Sequence, residues 1–165
     1  MIKTMKKLIF FLSFIIVAGC TQAQNKAKIQ NIPSYKILIA DSTYRTQANL
    51  KKNEPVMIIY FSPDCSHCQQ LMYDMKGQMK DFSKIQIVMI TDAMYKLVKG
   101  FYRDFGISQY PNIIVGTEQN SYAIINYYDV KMTPYIAIYN HKGKLVKAYD
   151  KVPKLKELAA MVKKA

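Results

Sequence analysis

Tryptophan is absent from this sequence, and cysteine, glycine, proline and acidic residues are all scarce. The 165 residues include three Cys, six Gly and six Pro, which excludes a collagen-like chain and a small domain held by several disulfides. Only 11 acidic residues accompany 24 Lys and Arg, so the net charge is +13, and nucleic acid, a membrane surface or an acidic protein become candidate partners. Half of the residues are apolar, so the chain is long enough and apolar enough to bury the core of one domain.

The first twenty residues have the features of an export signal that ends in a lipid attachment site. Three lysines precede an apolar run over residues 8–18. This run is too short to span a bilayer, which needs about 20 apolar residues, but it suits the apolar part of a secretory signal. The sequence Val-Ala-Gly-Cys at positions 17–20 resembles the lipobox of bacterial lipoproteins. The resemblance implies a signal peptide over residues 1–19 and acylation of Cys20; an ordinary secretory signal and an uncleaved anchor are the alternatives.

Residues 20–34 are predicted to be a lipidated, flexible tether, because Gln, Asn and Lys dominate and no helical or strand periodicity is present. Removal of residues 1–19 takes away three Lys and no acid, which leaves 21 basic and 11 acidic residues and a net charge of +10. With Cys20 acylated, the chain has only two thiols. The basic C-terminal segment lacks the signatures of nucleic-acid binding, so we expect no nucleic-acid partner.

From residue 35 onward, strand and helix patterns alternate in the order βαβαβαββα, with an extra strand and a short helix near 112–128. Strands are expected at 35–40, 56–61, 85–90, 112–115, 135–139 and 145–149, and helices at 47–52, 65–82, 93–105, 122–128 and 154–163. The runs at 56–61 and 85–90 are continuously apolar, which is typical of strands buried on both faces. This order predicts one α/β domain over residues 35–165, with a mixed central sheet and helices on both of its faces.

Two cysteines, Cys65 and Cys68, lie three positions apart where the first long helix pattern begins. Positions i and i+3 of a helix are neighbours, so the two sulfurs are close enough to form a disulfide. The first turn of a helix has unpaired N–H groups and a partial positive charge, which stabilise a thiolate. We therefore expect Cys65 to be the nucleophile, with a lowered pKa, and Cys68 to be the less exposed resolving thiol.

A Cys-x-x-Cys pair is also found in metal sites. Zinc needs four ligands, and the only other candidates are His67, inside the motif, and the distant His141, so no metal is expected. Two thiols beside a histidine can bind Cu(I), and copper chaperoning stays open as an alternative.

The stretch from Ile58 to Gln69 and the later Met132-Thr133-Pro134-Tyr135 resemble the thioredoxin superfamily, above all the membrane-anchored thiol–disulfide oxidoreductases of the bacterial envelope. The resemblance covers about residues 35–165 and implies a thioredoxin-like fold. It also implies that Pro134 follows a cis peptide bond beside the redox pair. Thr133 and Pro134 would then shape the substrate groove.

The motif departs from the family in its acidic residues. The family often has an acid six positions before or six positions after the first cysteine, and this chain has Ile59 and Leu71 there, so the usual proton acceptor for Cys68 is absent. Ser66 and His67 lie between the cysteines, where we expect them to tune the thiols; a histidine there stabilises a thiolate.

The sequence therefore predicts a thiol–disulfide oxidoreductase of the bacterial cell envelope that exchanges disulfides through a mixed disulfide on Cys65. It needs no cofactor, and its partners are protein thiol or disulfide substrates, a redox partner protein and the membrane, reached through a lipid anchor facing the periplasm. We expect a monomer. The alternative is a non-enzymatic thioredoxin-fold lipoprotein, either a copper metallochaperone or a binding module.

Overall fold

The computed structural model describes residues 29–165. This part of the chain forms one seven-stranded sheet in the order β2-β1-β5-β4-β3-β6-β7. Its strands are β1 (Lys36–Ile39), β2 (Tyr44–Thr46), β3 (Val56–Tyr60), β4 (Gln86–Thr91), β5 (Ile113–Thr117), β6 (Tyr135–Tyr139) and β7 (Leu145–Tyr149). Its α-helices are α1 (Ser66–Gly77), α2 (Tyr95–Asp104), α3 (Ala123–Tyr128) and α4 (Leu155–Val162).

Strand β3 lies at the centre of the core. It pairs in parallel with β4 and antiparallel with β6, and all five of its residues are buried. β4 pairs in parallel with β5, whereas β7 and β1 run antiparallel to their neighbours. The mixed sheet confirms the predicted fold class, and the buried pattern of β3 and β4 explains why both segments are continuously apolar.

Helices cover both faces of the sheet. Helices α1, α2 and α4 share one apolar core with alternate residues of β3, among them Met57 and Ile59. Helix α3 packs on the other face, where the hydroxyls of Tyr128 and Tyr139 lie 2.8 Å apart. The crossovers through α1 and α2 connect neighbouring parallel strands, and right-handed crossovers place both helices on the same face.

Three local features differ from the pattern read in the sequence. The helix expected at 47–52 is only a 3-10 turn, Gln47–Asn49. Strand β2 was not predicted; it pairs with β1 across the turn at residues 40–43. The helix expected to reach residue 82 ends at Gly77 and is followed by a separate 3-10 turn, Met79–Phe82. Gly77 costs helix stability relative to alanine, which is consistent with an end at this residue.

The topology gives the sheet two edges of different character. The carboxyl ends of β3, β4 and β5 and the start of β6 lie together at one edge, which we call the redox edge because Cys65 follows β3 there. The predicted signal peptide, Cys20 and most of the predicted tether lie outside the described residues. Among residues 29–165, no helix is both long enough and apolar enough to cross a bilayer.

Candidate functional site

The chain turns from β3 into α1 through residues 61–65. Pro63 interrupts the strand pattern, and the Cys65 N–H donates to the carbonyl of Ser62 at 3.1 Å. Cys65 is the residue before the first helical turn, with an extended backbone (φ −81°, ψ 118°). Its carbonyl accepts from the N–H groups of Cys68 and Gln69, both at 3.0 Å, so the helix begins at the motif itself.

Cys65 is the more accessible and more acidic of the two thiols. Its side chain is half-buried, and both cysteines are free. Burial by itself raises the pKa of Cys65, but hydrogen bonds with the Cys68 thiol and the Thr133 side chain outweigh it. The backbone N–H groups at the helix start, those of His67 and Cys68, contribute further, so the pKa of Cys65 lies below its ordinary value.

Cys68 has the opposite environment. It lies in the first turn of α1, it is 1% exposed, and it belongs to the apolar core. Burial raises the pKa of Cys68 to about 12, and its hydrogen bond to Cys65 contributes in the same direction. The pair therefore combines an accessible thiol that ionises readily with a buried thiol that keeps its proton.

The segment before β6 completes the site. The Thr133–Pro134 peptide bond is cis, which confirms the expectation drawn from the resemblance. The Cys65 thiol donates to the carbonyl of Thr133 at 3.5 Å, so a residue 68 positions later in the chain contacts the sulfur directly. The Thr133 side chain also acts to lower the pKa of both cysteines, against the larger effect of burial.

A shallow groove of about 320 Å³ lies beside the dithiol. His67, Met132, Thr133 and Pro134 line it. The segment after β7, residues 150–152, forms another part of its wall. The Met132 side chain is 57% exposed, so an apolar surface is available beside Cys65. Sequence reasoning missed this wall, because no local pattern indicates that residues after β7 return to a motif more than eighty positions earlier.

Two intervening motif residues, Ser66 and His67, are exposed. The two positions where the family often has an acid lie in apolar surroundings. Ile59 is fully buried, and Leu71 is 3% exposed. Asp64 precedes Cys65 but is exposed to solvent. No group of three or more His, Cys, Asp or Glu side chains converges as a metal site within residues 29–165.

Residues 44–165 match the model of the thioredoxin-like domain family, and the chain belongs to this family. No curated protein sequence is similar enough to count as a match. The family and the close pair of unlike thiols together support activity as a thiol–disulfide oxidoreductase, a redox enzyme.

Solved structures confirm the fold. A secreted disulfide oxidoreductase of Mycobacterium tuberculosis is 15% identical, with a TM-score of 0.66 over 84% of this chain and 98% of that one. The exposed lipoprotein thioredoxin of Streptococcus pneumoniae is 18% identical, with a TM-score of 0.63 over 81% and 100%. A thiol peroxidase of Chromobacterium violaceum is 11% identical, with a TM-score of 0.67 over 82% and 85%. At these identities the likeness concerns the fold alone.

Proposed function

We propose that this protein is a lipid-anchored thiol–disulfide oxidoreductase of the bacterial cell envelope, which exchanges disulfides with protein substrates through a mixed disulfide on Cys65. The observation that carries the proposal is the asymmetry of the pair. Cys65 is accessible and has a lowered pKa, whereas Cys68 is buried with a pKa of about 12. The thiolate is the attacking species in exchange, so this asymmetry assigns the first attack to Cys65.

The exchange begins when the Cys65 thiolate attacks one sulfur of a substrate disulfide. A bond forms between Cys65 and that sulfur, the substrate S–S bond breaks, and the second substrate sulfur leaves as a thiolate that takes a proton from solvent. Cys68 then loses its proton and attacks the Cys65 sulfur, which breaks the mixed disulfide and expels the first substrate sulfur as a thiolate that takes a proton. The substrate leaves as a dithiol, and Cys65 and Cys68 form a disulfide, so two electrons pass to the substrate; the same steps in reverse oxidise a dithiol.

The surroundings of Cys68 favour attack by Cys65 first and by Cys68 second. The hydrogen bond to Cys65 and the charge of Cys65 both raise the pKa of Cys68, after the larger effect of burial. Both contributions end once the Cys65 sulfur is part of a neutral mixed disulfide. The Thr133 side chain, which lowers the pKa of Cys68, remains in place. Cys68 therefore becomes easier to ionise once a substrate is bound covalently, while burial, the largest cause of its raised pKa, persists.

The groove beside Pro134 supports a peptide as the substrate. It is open, lined in part by the exposed side chain of Met132, and it lies next to the accessible sulfur. A volume of about 320 Å³ leaves room for a few side chains of an extended segment.

The lipid anchor is proposed from the sequence at positions 17–20 and the basic and apolar segments before it. The likeness to the pneumococcal exposed lipoprotein thioredoxin supports a thioredoxin-like domain carried on such an anchor. Two or more acyl chains give stable attachment where one does not.

Trapping of the mixed disulfide tests the proposal. We expect Cys68→Ala to accumulate a disulfide between Cys65 and a disulfide-bonded protein substrate, visible as a reducible band on non-reducing gels. Cys65→Ala is the matched control and should give no such band. Stoichiometric Cu(I) retention by a dithiol that traps no substrate would instead favour the metallochaperone, and peroxide turnover would favour a peroxidase.

A further inference from the structure

The edge of the sheet opposite the redox edge collects lysines from four separate segments of the chain. We call it the lysine edge and define it by Lys51, Lys52, Lys80, Lys84, Lys142, Lys144, Lys163 and Lys164. We propose that the lysine edge binds the anionic phosphate headgroups of the membrane that holds the lipid anchor, and so turns the redox edge away from the bilayer. This inference rests on the proposed anchor at Cys20.

Backbone pairing brings these segments together. The side chain of Gln86, at the start of β4, makes two hydrogen bonds with the Lys51 backbone. Its oxygen accepts from the Lys51 N–H at 2.7 Å, and its amide N–H donates to the Lys51 carbonyl at 3.1 Å. Val56 pairs with Tyr139, which places the turn at residues 140–144 beside the start of β3. The chain end reaches the same turn, because the His141 N–H donates to the carbonyl of Ala165 at 3.4 Å.

The lysine edge has a large excess of positive charge. Its eight lysines are exposed, and in the described part of the chain the acidic residues paired with them are Glu54 and Asp81. Lys51 pairs with Glu54 at 3.7 Å and Lys163 with Asp81 at 3.0 Å. Within residues 29–165, the other six lysines take part in no ion pair with an acidic side chain.

At the redox edge, by comparison, acidic residues and lysines are nearly equal in number. Its connections and the first residue of β1 carry five acidic residues and four lysines: Asp64, Asp92, Glu118, Asp129 and Asp150, with Lys36, Lys131, Lys151 and Lys154. The basic excess of the domain is therefore polarised away from the dithiol. A polarised surface of one charge orients a protein against a surface of the other charge.

The path of the chain favours a membrane over an acidic protein as the occupant. Asn31 is held at the lysine edge, where it forms an isolated antiparallel β-bridge with Lys144. The Lys144 amino group also donates to the Asn31 side-chain oxygen at 2.7 Å. The Tyr127 hydroxyl also donates to the Asn31 carbonyl at 2.7 Å. Only ten residues separate Asn31 from Cys20. The eleven steps from Cys20 to Asn31 span at most about 40 Å at full extension, so the proposed anchor limits the distance between this edge and the headgroups to about that length.

The test uses the mature lipidated protein in phosphatidylcholine vesicles with and without phosphatidylglycerol, which supplies anionic phosphate. Lysine reactivity toward an amine-labelling reagent is mapped by mass spectrometry. We expect labelling of Lys52, Lys84, Lys142 and Lys164 to fall about threefold or more when phosphatidylglycerol is present, and to recover in high salt, which screens charge. Lys96, Lys99, Lys147 and Lys154, at other places on the domain, serve as internal controls and should not change.

Two charge-reversal variants sharpen the result. Replacing Lys52, Lys84, Lys142 and Lys164 by Glu should abolish the protection of the remaining lysines of this edge, whereas the same replacement of the four control lysines should preserve it. Disulfide exchange by both variants verifies that they are folded. Equal labelling in the two kinds of vesicle would overturn the inference, as would protection by polyglutamate in solution without any protection by phosphatidylglycerol.

Failure of the anchor gives a different outcome. A protein that does not float with phosphatidylcholine vesicles lacks the anchor assumed in the proposed function. Flotation with phosphatidylglycerol vesicles then tests the lysine edge alone, because charge is the only attraction left. Binding that the first variant loses would support the edge, and absence of binding would refute it.

Discussion

Selective alkylation of the reduced protein is the clearest consequence of the unlike thiols. The pKa of Cys65 lies below its ordinary value of 9.0, and the pKa of Cys68 is about 12. The difference is thus at least three pH units, so at neutral pH the thiolate fraction of Cys65 exceeds that of Cys68 at least about 1,000-fold. A thiolate of higher pKa is intrinsically more nucleophilic, by about half a logarithmic unit for each unit of pKa. The net preference for Cys65 is therefore about 30-fold, before the burial of Cys68 increases it.

The assay treats the reduced protein at pH 7.5 with less iodoacetamide than thiol, and counts the modified peptides by mass spectrometry. We expect at least about 30 modified Cys65 residues for each modified Cys68. In concentrated guanidinium chloride the preference should disappear, because the environment that separates the two pKa values is lost. Cys65→Ser should leave Cys68 slow, since burial is the largest contribution to its pKa. Equal modification in the folded protein would refute the reasoning.

Three further predictions follow from particular contacts. Thr133→Val removes a hydroxyl that lowers the pKa of both thiols, so the ultraviolet absorbance of the Cys65 thiolate should titrate at higher pH. Thr43→Val is the control and should leave the titration unchanged, because the Thr43 hydroxyl bonds to Asp41, away from the dithiol. An unmoved curve in Thr133→Val would contradict the assignment. Gly116→Ala places a methyl group 3.0 Å from Ile37 and should lower the free energy of unfolding by about 1–3 kcal/mol in urea titrations. Gly100→Ala, in α2 with open space around the residue, should raise that free energy by about 0.5–1 kcal/mol. Equal unfolding midpoints for the two variants would argue against this packing. Glu118→Ala leaves the Ile124 N–H, now 3.0 Å from a carboxylate oxygen, without its acceptor and should cost about 1–3 kcal/mol, while Glu118→Gln should cost less; equal losses would show that the acceptor is not what matters.

The sheet could be predicted from the sequence because its strongest signals are local. The apolar runs that became β3 and β4 have no polar interruption, and the hairpin of β6 and β7 is bounded by a turn in which Gly143 has φ +70°. Strand β2 could not be predicted in this way. Its three residues are too few to show a strand pattern, and the strand forms because it pairs with β1.

The dithiol could also be predicted, because its two cysteines lie within one helical turn. The surroundings that distinguish Cys65 from Cys68 come from distant parts of the chain: the carbonyl of Thr133, the apolar core around α1, and the groove wall after β7. The lysine edge was missed for the same reason. Its lysines are scattered in ones and twos over more than a hundred positions, and only the antiparallel return of β6 and the end of α4 bring them together.

A redox titration of the mature protein in glutathione buffers tests the central claim most directly. The account predicts one reversible couple in which Cys65 and Cys68 form a disulfide, with loss of two hydrogens per chain. The ratio of oxidised to reduced protein should change tenfold for about every 30 mV, as for a two-electron couple. Neither Cys65→Ala nor Cys68→Ala should show this couple. A protein that only accumulates glutathione on Cys65, or that shows no exchange between the two cysteines, would contradict the account.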